Sequence, residues 1–367
     1  MKKFAAFAMF VLATALMFVA CSAESNEKTP AQKKVSIVAT TYPQYDWLKN
    51  VLGSHLDAVN LKLLIKNGTD LHSYNPSAQD IAAIASADMV VYVGGESDEW
   101  IEKALSATPK AGRVQVNLME ALGDRVKEEE IVEGMQEETK DARRETKEIA
   151  EENHEHGEEA EEHEQEHHEH AEAHEEHEHE HHEHAEEAEN DEHVWLSLKN
   201  AEILVKNLAE AVAKLDTANA SEYHMNAALY VAKISALDAQ YRAAVDSANF
   251  KTILFGDRFP FRYLVDDYGI KYFAAFVGCS AESEASFETV AFLAGKMDSL
   301  ALPAIFTIDG SNGKIARAIL DASKKSKEVA VLTLNSMQSV TDAQMQAGAD
   351  YLSIMRENLD VLKKAIK

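Results

Sequence analysis

Residues 219–248 read "NASEYHMNAALYVAKISALDAQYRAAVDSA". The stretch holds neither glycine nor proline, and apolar side chains recur at Tyr223, Ala227, Tyr230, Ile234, Leu237 and Tyr241. Steps of three and four place them on one face of a long helix. At a rise of 1.5 Å per residue, that helix runs roughly 45 Å. A helix of that length is a stiff connector, and the sequence on either side says what it connects.

Upstream, short β-branched runs alternate with helical patterns. "VSIVATTY" leads into "PQYDWLKNVLG", "AVNLKLLI" precedes "SAQDIAAIASA", "DMVVYVGG" precedes "DEWIEKALSA", and "RVQVNL" ends the series. Downstream the pattern repeats with "TILFG", "IKYFAAF", "AIFTIDG" and "VAVLTL", with helical runs between them. The chain closes on the helix "GADYLSIMRENLDVLKKAI". Buried strands alternating with helices imply parallel sheets covered on both faces. The expected fold is therefore α/β, with two lobes of roughly four parallel strands each, joined by one rigid helix. Ligands of open parallel sheets sit beyond the carboxyl ends of the strands, so a site is expected in the cleft between the lobes. The expected divisions are a first lobe over 34–127 and 193–218, the linking helix over 219–248 and a second lobe over 249–367.

The chain carries a net charge of -27, but that charge is local. Residues 128–192 hold 30 acidic against 4 basic residues, leaving 33 acidic and 32 basic residues elsewhere. The acidity marks an insert, expected to be disordered without metal. No basic patch of the kind nucleic acid requires is present. At the start, Lys2 and Lys3 precede an apolar run from Phe4 to Ala20, which reads as an export signal over 1–20. Cys21 then follows a small residue, an arrangement similar to the bacterial lipobox, so Cys21 is the expected lipidation site and 21–33 a tether. Cys279 is the other cysteine; with no partner for a disulfide, it reads as a small packing residue.

Twelve of the sixteen histidines fall in 154–184, among fourteen glutamates. His163, His167, His170, His174, His177, His181 and His184 step by alternating fours and threes, one face of a helix if the run is helical. Pairs two apart, such as His177 and His179, would chelate from an extended chain instead. "EHHEHAE" occurs at 166–172 and again at 180–186, so the spacing can also record a duplication. Imidazoles are mostly neutral at pH 7 and free to ligate. The run reads as a low-affinity collector of zinc-like cations, against the plainer reading of a solvated acidic spacer.

The remaining histidines are His55, His72, His193 and His224. His55 and His224 lie in polar surroundings and read as surface residues. His72, in "NGTDLHSYNPSAQD", and His193, in "NDEHVWLSLKNAEIL", lie on loops at element ends, where functional residues concentrate.

These two segments, with the lipobox-like start and the closing helix, resemble the cluster A-I (ZnuA/TroA-type) metal-binding lipoproteins of zinc and manganese ABC transporters. The resemblance runs from about Val35 to the end, apart from the insert. It implies that His72 and His193 ligate a metal. The family places a third ligand, His or Glu, after the first strand of the second lobe. Here that stretch is "LFGDRFPFRYL", with Gly256 in the ligand's place and Asp257 as the nearest substitute. Asp257 beside Arg258 reads equally as a structural ion pair. A fourth ligand, often Asp, comes from the loop after the last strand, where "LTLNSMQSV" offers Asn335, an oxygen donor without charge. Asp309, in "TIDGSNGK", is expected to support the ligands from behind.

Two imidazoles with oxygen donors suit Zn2+, and also Mn2+ or iron; the histidine run tilts the choice to zinc, since manganese binds imidazole weakly. The expected function is an extracytoplasmic lipoprotein that captures Zn2+ for an ABC permease and its ATPase. It would be a monomer anchored through Cys21 to the outer face of the cytoplasmic membrane or held in the periplasm. A manganese or iron receptor, and a metal-storing or adhesin-like surface protein, are the competing readings. An enzyme is not expected: outside the histidine run, HExxH, GxSxG and glycine-rich phosphate loops are missing from the sequence.

Overall fold

The first sheet is built on Val35–Ala39 (β1), flanked by Val59–Leu63 (β2) on one side and by Met89–Tyr92 (β3) and then Val114–Asn117 (β4) on the other, all parallel. Parallel strands cannot be joined by tight turns, so helices carry the chain back across the sheet. These are Tyr42–Leu52 (α1), Ala78–Ser86 (α2), Glu99–Ala107 (α3) and the short Leu118–Leu122 (α4). Leu198–Leu215 (α5) completes this half, and Ala220–Asp246 (α6) leads to the second. There the strands Thr252–Phe259 (β5), Lys271–Val277 (β6), Ala304–Ile308 (β7) and Ala330–Leu334 (β8) pair in the order β6-β5-β7-β8, again parallel. Its helices are Arg262–Tyr268 (α7), Phe287–Leu300 (α8), Lys314–Ala322 (α9), Asp342–Gln346 (α10) and Tyr351–Ile366 (α11). This is the two-lobed α/β architecture that the alternating pattern predicts. The computed structural model describes residues 34–136, 189–280 and 284–367. Cys21 and the seven histidines from His163 to His184 lie outside the described residues.

In each sheet the chain steps to one side of the first strand and then crosses to the other. The crossing opens a crevice beyond the carboxyl ends of β1 and β3, and likewise of β5 and β7. The loops that matter leave those ends.

The linking helix α6 buries Tyr223, Ala227, Tyr230, Ile234, Leu237 and Tyr241, the stripe read from the sequence, together with Val231 and Val245. It is not a bare rod. It packs along α5 and against α1 and α11. Tyr241 Oη donates to the Met355 carbonyl at 2.6 Å. Helix α11 reaches into the first lobe, where Tyr351 stacks edge-on to Trp47 at 5.1 Å, and Tyr42 Oη donates to the Ala349 carbonyl at 2.6 Å. One continuous apolar core thus joins both lobes and the helix between them.

The insert begins and ends inside the body. Glu128 and Asn190 form an antiparallel bridge. Glu129 N–H donates to the Glu189 carbonyl, and Asp191 N–H to the Lys127 carbonyl, each at 2.8 Å. Gln136 N–H donates to the Ala275 carbonyl on β6, the edge strand, at 2.9 Å. Residues 128–136 and 189–192, assigned to the insert on charge, therefore pack on the folded body.

Candidate metal site

His72 is set by its own turn. Asp70 caps the single 3-10 turn Leu71–Ser73, its Oδ1 accepting the His72 N–H at 3.0 Å. His72 Nδ1 lies 2.7 Å from Ser97 Oγ, in the loop after β3. Ser97 N–H in turn donates to Glu192 Oε1 at 2.8 Å. Burial first, and the nearby His193 second, pull the His72 imidazole down to about 3, so it is neutral at pH 7.

His193 is wholly buried. Its N–H and its Nδ1 both meet Asp191 Oδ1, at 2.8 and 3.0 Å. An ionised carboxylate only accepts, so Nδ1 carries the proton and Nε2 presents its lone pair. Tyr263 Oη holds the Asp191 carbonyl at 2.8 Å. Trp195 lies against the ring, with centroids 5.4 Å apart, and is itself fixed by donating to the Ser336 carbonyl at 2.8 Å. On the remaining side lies Gly278, where a Cβ would stand 3.0 Å from His193 Cε1 and 2.9 Å from the Phe259 carbonyl oxygen. A glycine is what lets the end of β6 approach the imidazole this closely.

The two Nε2 atoms are 3.2 Å apart. Two imidazole nitrogens, each roughly 2.0–2.1 Å from one tetrahedral zinc, stand roughly 3.3 Å apart, so the pair is already spaced for one ion. The second ring nitrogen of each is held by a protein group, the arrangement that orients metal-binding histidines.

The second lobe brings two groups that the sequence reading does not place at the site, Cys279 being read there only as a packing residue and Gln338 not being singled out. Cys279 follows β6, and its Sγ and one nitrogen of each histidine all lie within 4.8 Å of one another. Its N–H donates to Glu129 Oε1 at 3.0 Å. Burial, then the nearby Glu129, Glu192 and Asp191 carboxylates, push the thiol up, unlike a thiol activated by a neighbouring cation. Gln338 leaves the loop after β8, with its Nε2 2.8 Å from His193 Nε2. A cysteine at a strand's carboxyl end was the available sequence signal for the first; none marked Gln338.

The expected third and fourth positions look different in three dimensions. Gly256 and Asp257 form a bulge in β5, two residues standing against Ala275 alone. A Cβ on Gly256 would lie 2.6 Å from Ala316 Cα in α9, so this place admits no side chain. Asp257 Oδ1 accepts the Arg258 N–H at 3.0 Å, and Asp257 does not join the His72, His193 and Cys279 group. Arg258 does not form its ion pair with Asp257. Its Nη2 meets Asp70 Oδ2 at 2.7 Å, and its Nη1 donates to the Ser280 carbonyl at 3.3 Å. Burial alone would raise the Asp70 carboxyl; Arg258, with the His72 contacts, outweighs that and holds it below the usual range. Asn335 Oδ1 accepts the Met337 N–H at 2.8 Å, steadying a residue at φ +61°. Asn335 shapes the loop, and Gln338 is the residue of that loop that reaches His193. Asp309 anchors the same loop from behind, accepting from Ser336 and, at 2.9 Å, from Ser339 Oγ. His55 and His224 lie away from this group, paired with Glu222 at 2.8 Å and Glu210 at 3.5 Å.

Residues 37–365 match the family described as zinc-uptake complex component A, periplasmic. The chain is 31% identical over 352 residues to the zinc-binding lipoprotein AdcA of Streptococcus pneumoniae, covering 95% of this chain and 58% of that one. It therefore spans little more than half the length of that relative. It is 27% identical over 361 residues to the high-affinity zinc uptake system protein ZnuA of Bacillus subtilis, covering 98% of this chain and 97% of that one. Among solved structures, the Zn(II)-bound ZnuA-like domain of the pneumococcal AdcA superposes with a TM-score of 0.62 at 26% identity, over 91% of this chain and 99% of that one. By the extent of the family match and the identity to these relatives, the chain belongs to the family of periplasmic A components of zinc-uptake complexes.

Proposed function

We propose that this protein captures Zn2+ outside the cytoplasm and hands it to an ABC permease and its ATPase, with His72 and His193 as ligands. The observation that carries the reading is the 3.2 Å spacing of the Nε2 atoms of buried His193 and partly buried His72, drawn from loops far apart in sequence, each ring oriented through its other nitrogen. The zinc-binding and zinc-uptake names of the relatives support the choice of ion. The export signal and Cys21 support delivery to the outer face of the cytoplasmic membrane, anchored by lipid. The histidine run, which precedes His193 in the chain, is proposed as an accessory collector.

Capture strips the ion of water and replaces it with preset donors. The ion pair of Arg258 with Asp70 already ties a second-lobe strand to the loop of His72, and α6 is packed along its length, so lobe movement is small. Release then depends on protonating the ligands or on docking to the permease.

The test is a zinc-against-manganese competition titration of the chain with residues 137–188 excised, so that the run does not contribute. One tight zinc site with weak manganese binding is expected. His72→Ala and His193→Ala should each weaken it by more than roughly 100-fold, beyond what loss of a supporting group costs. Tight manganese binding would make the protein a manganese receptor, and full zinc affinity in both variants would overturn the ligand assignment.

A further inference from the structure

We infer that Cys279 binds the captured cation as a thiolate, so that the second lobe supplies sulfur where the family supplies imidazole or carboxylate. The inference rests on His72 and His193 being the zinc ligands, and it names the third.

Three observations carry it. The ligand atoms of His72, His193 and Cys279 already lie within 4.8 Å of one another. Around a tetrahedral zinc, with Zn–S roughly 2.3 Å, nitrogen and sulfur stand roughly 3.6 Å apart, so closing the set takes about an ångström. The cysteine backbone is held on both sides, its own N–H by Glu129 at 3.0 Å and the following carbonyl, that of Ser280, by Arg258 at 3.3 Å. A residue that merely packs needs no such placement against two imidazoles.

The third observation is independent of the cysteine. Gln338 is 5% exposed, its amide meets His193 Nε2 at 2.8 Å, and its Oε1 has no hydrogen-bond partner among the described residues. A buried amide oxygen without a partner is costly in a dry site. Amide oxygen and nitrogen are interchangeable by a half-turn, and the turned amide offers its oxygen to an ion shared with His193. Two nitrogens, one sulfur and one carbonyl oxygen then meet zinc's usual number of four.

The expected third position cannot compete, because Gly256 abuts Ala316. The donor comes instead from the neighbouring strand, β6. On binding, the S–H bond breaks, the sulfur–metal bond forms and the proton leaves to solvent. Thiolate favours zinc over manganese, so this substitution sharpens selectivity.

Cobalt(II) tests this, since a thiolate on Co(II) gives a near-ultraviolet sulfur-to-metal charge-transfer band that imidazole and carboxylate do not. The full chain carrying Cys21→Ser is titrated with Co(II) and then Zn(II). Cys279 is then the only sulfhydryl, and the histidine run contains none. The expected result is the band, its displacement by zinc and its loss in Cys279→Ser. That variant should keep its circular-dichroism spectrum while zinc binding in the cleft falls by roughly 100-fold or more and manganese binding barely changes. A wild-type chain with no band, whose tight zinc site is lost in His72→Ala but kept in Cys279→Ser, overturns the thiolate and leaves the histidine assignment standing. No tight zinc site in the wild-type chain overturns both.

Discussion

The loops of the two lobes meet in one cleft, from the same ends of similarly ordered sheets, yet they present different chemistry. On one side, two imidazoles are fixed by a hydroxyl and a carboxylate, in segments that resemble the family closely. On the other, a bulge pressed against α9 stands where a ligand is expected, and a thiol and an amide arrive from the loops after β6 and β8. On the proposed assignment, half of the ligand set follows the family's choice and half departs from it. Loops at the carboxyl ends of parallel strands are near one another, and neighbouring loops can exchange the task.

That contrast can be tested by moving the family's choice into the second lobe. Gly256→His should fail to restore a ligand, because its Cβ would start 2.6 Å from the backbone of Ala316. Chemical denaturation should register a loss of about 3 kcal/mol or more, the upper range for overpacking, with no gain in zinc affinity. A stable variant with tighter zinc binding would show that the position is open after all. A smaller effect is expected of Gly278→Ala, which pushes a methyl against the His193 imidazole and the Phe259 carbonyl. Isothermal titration should show zinc affinity reduced by roughly 10-fold, the scale for disturbing a ligand's support, with a fall in melting temperature smaller than that of Gly256→His. Smallest of all is Asp257→Asn. If the bulge keeps this carboxylate out of the ion's reach, zinc affinity measured by the same titration should be unchanged; a large loss would return Asp257 to the ligand set.

Much of the architecture was legible because its signals are periodic. The alternation of buried runs with amphipathic helices gave both sheets, and the six-residue stripe in α6 was read directly. The importance of the His72 and His193 segments was legible because each is locally distinctive, and the structure brings the two rings together. The approach of Cys279 and Gln338 was not legible, since it depends on sheet order, which sets the loops after β6 and β8 beside His193. The partner of Arg258 stayed open in the sequence for a related reason. Adjacency offered Asp257 as one of two readings, whereas the guanidinium pairs with Asp70 on the His72 loop. Charge composition likewise overran the insert's edges, because burial of Asp191 and Glu192 depends on their partners and leaves no trace in a residue count.

The bridge between Glu128 and Asn190 has an evolutionary consequence. Because both ends of the insert are pinned together on the body, residues can be added or lost between them without shifting the register of any strand. The repeated "EHHEHAE" at 166–172 and 180–186 is the kind of change such an arrangement tolerates. Lineages can lengthen or trim this segment by copying a short stretch of gene, and selection can act on the copy number while the cleft stays as it was.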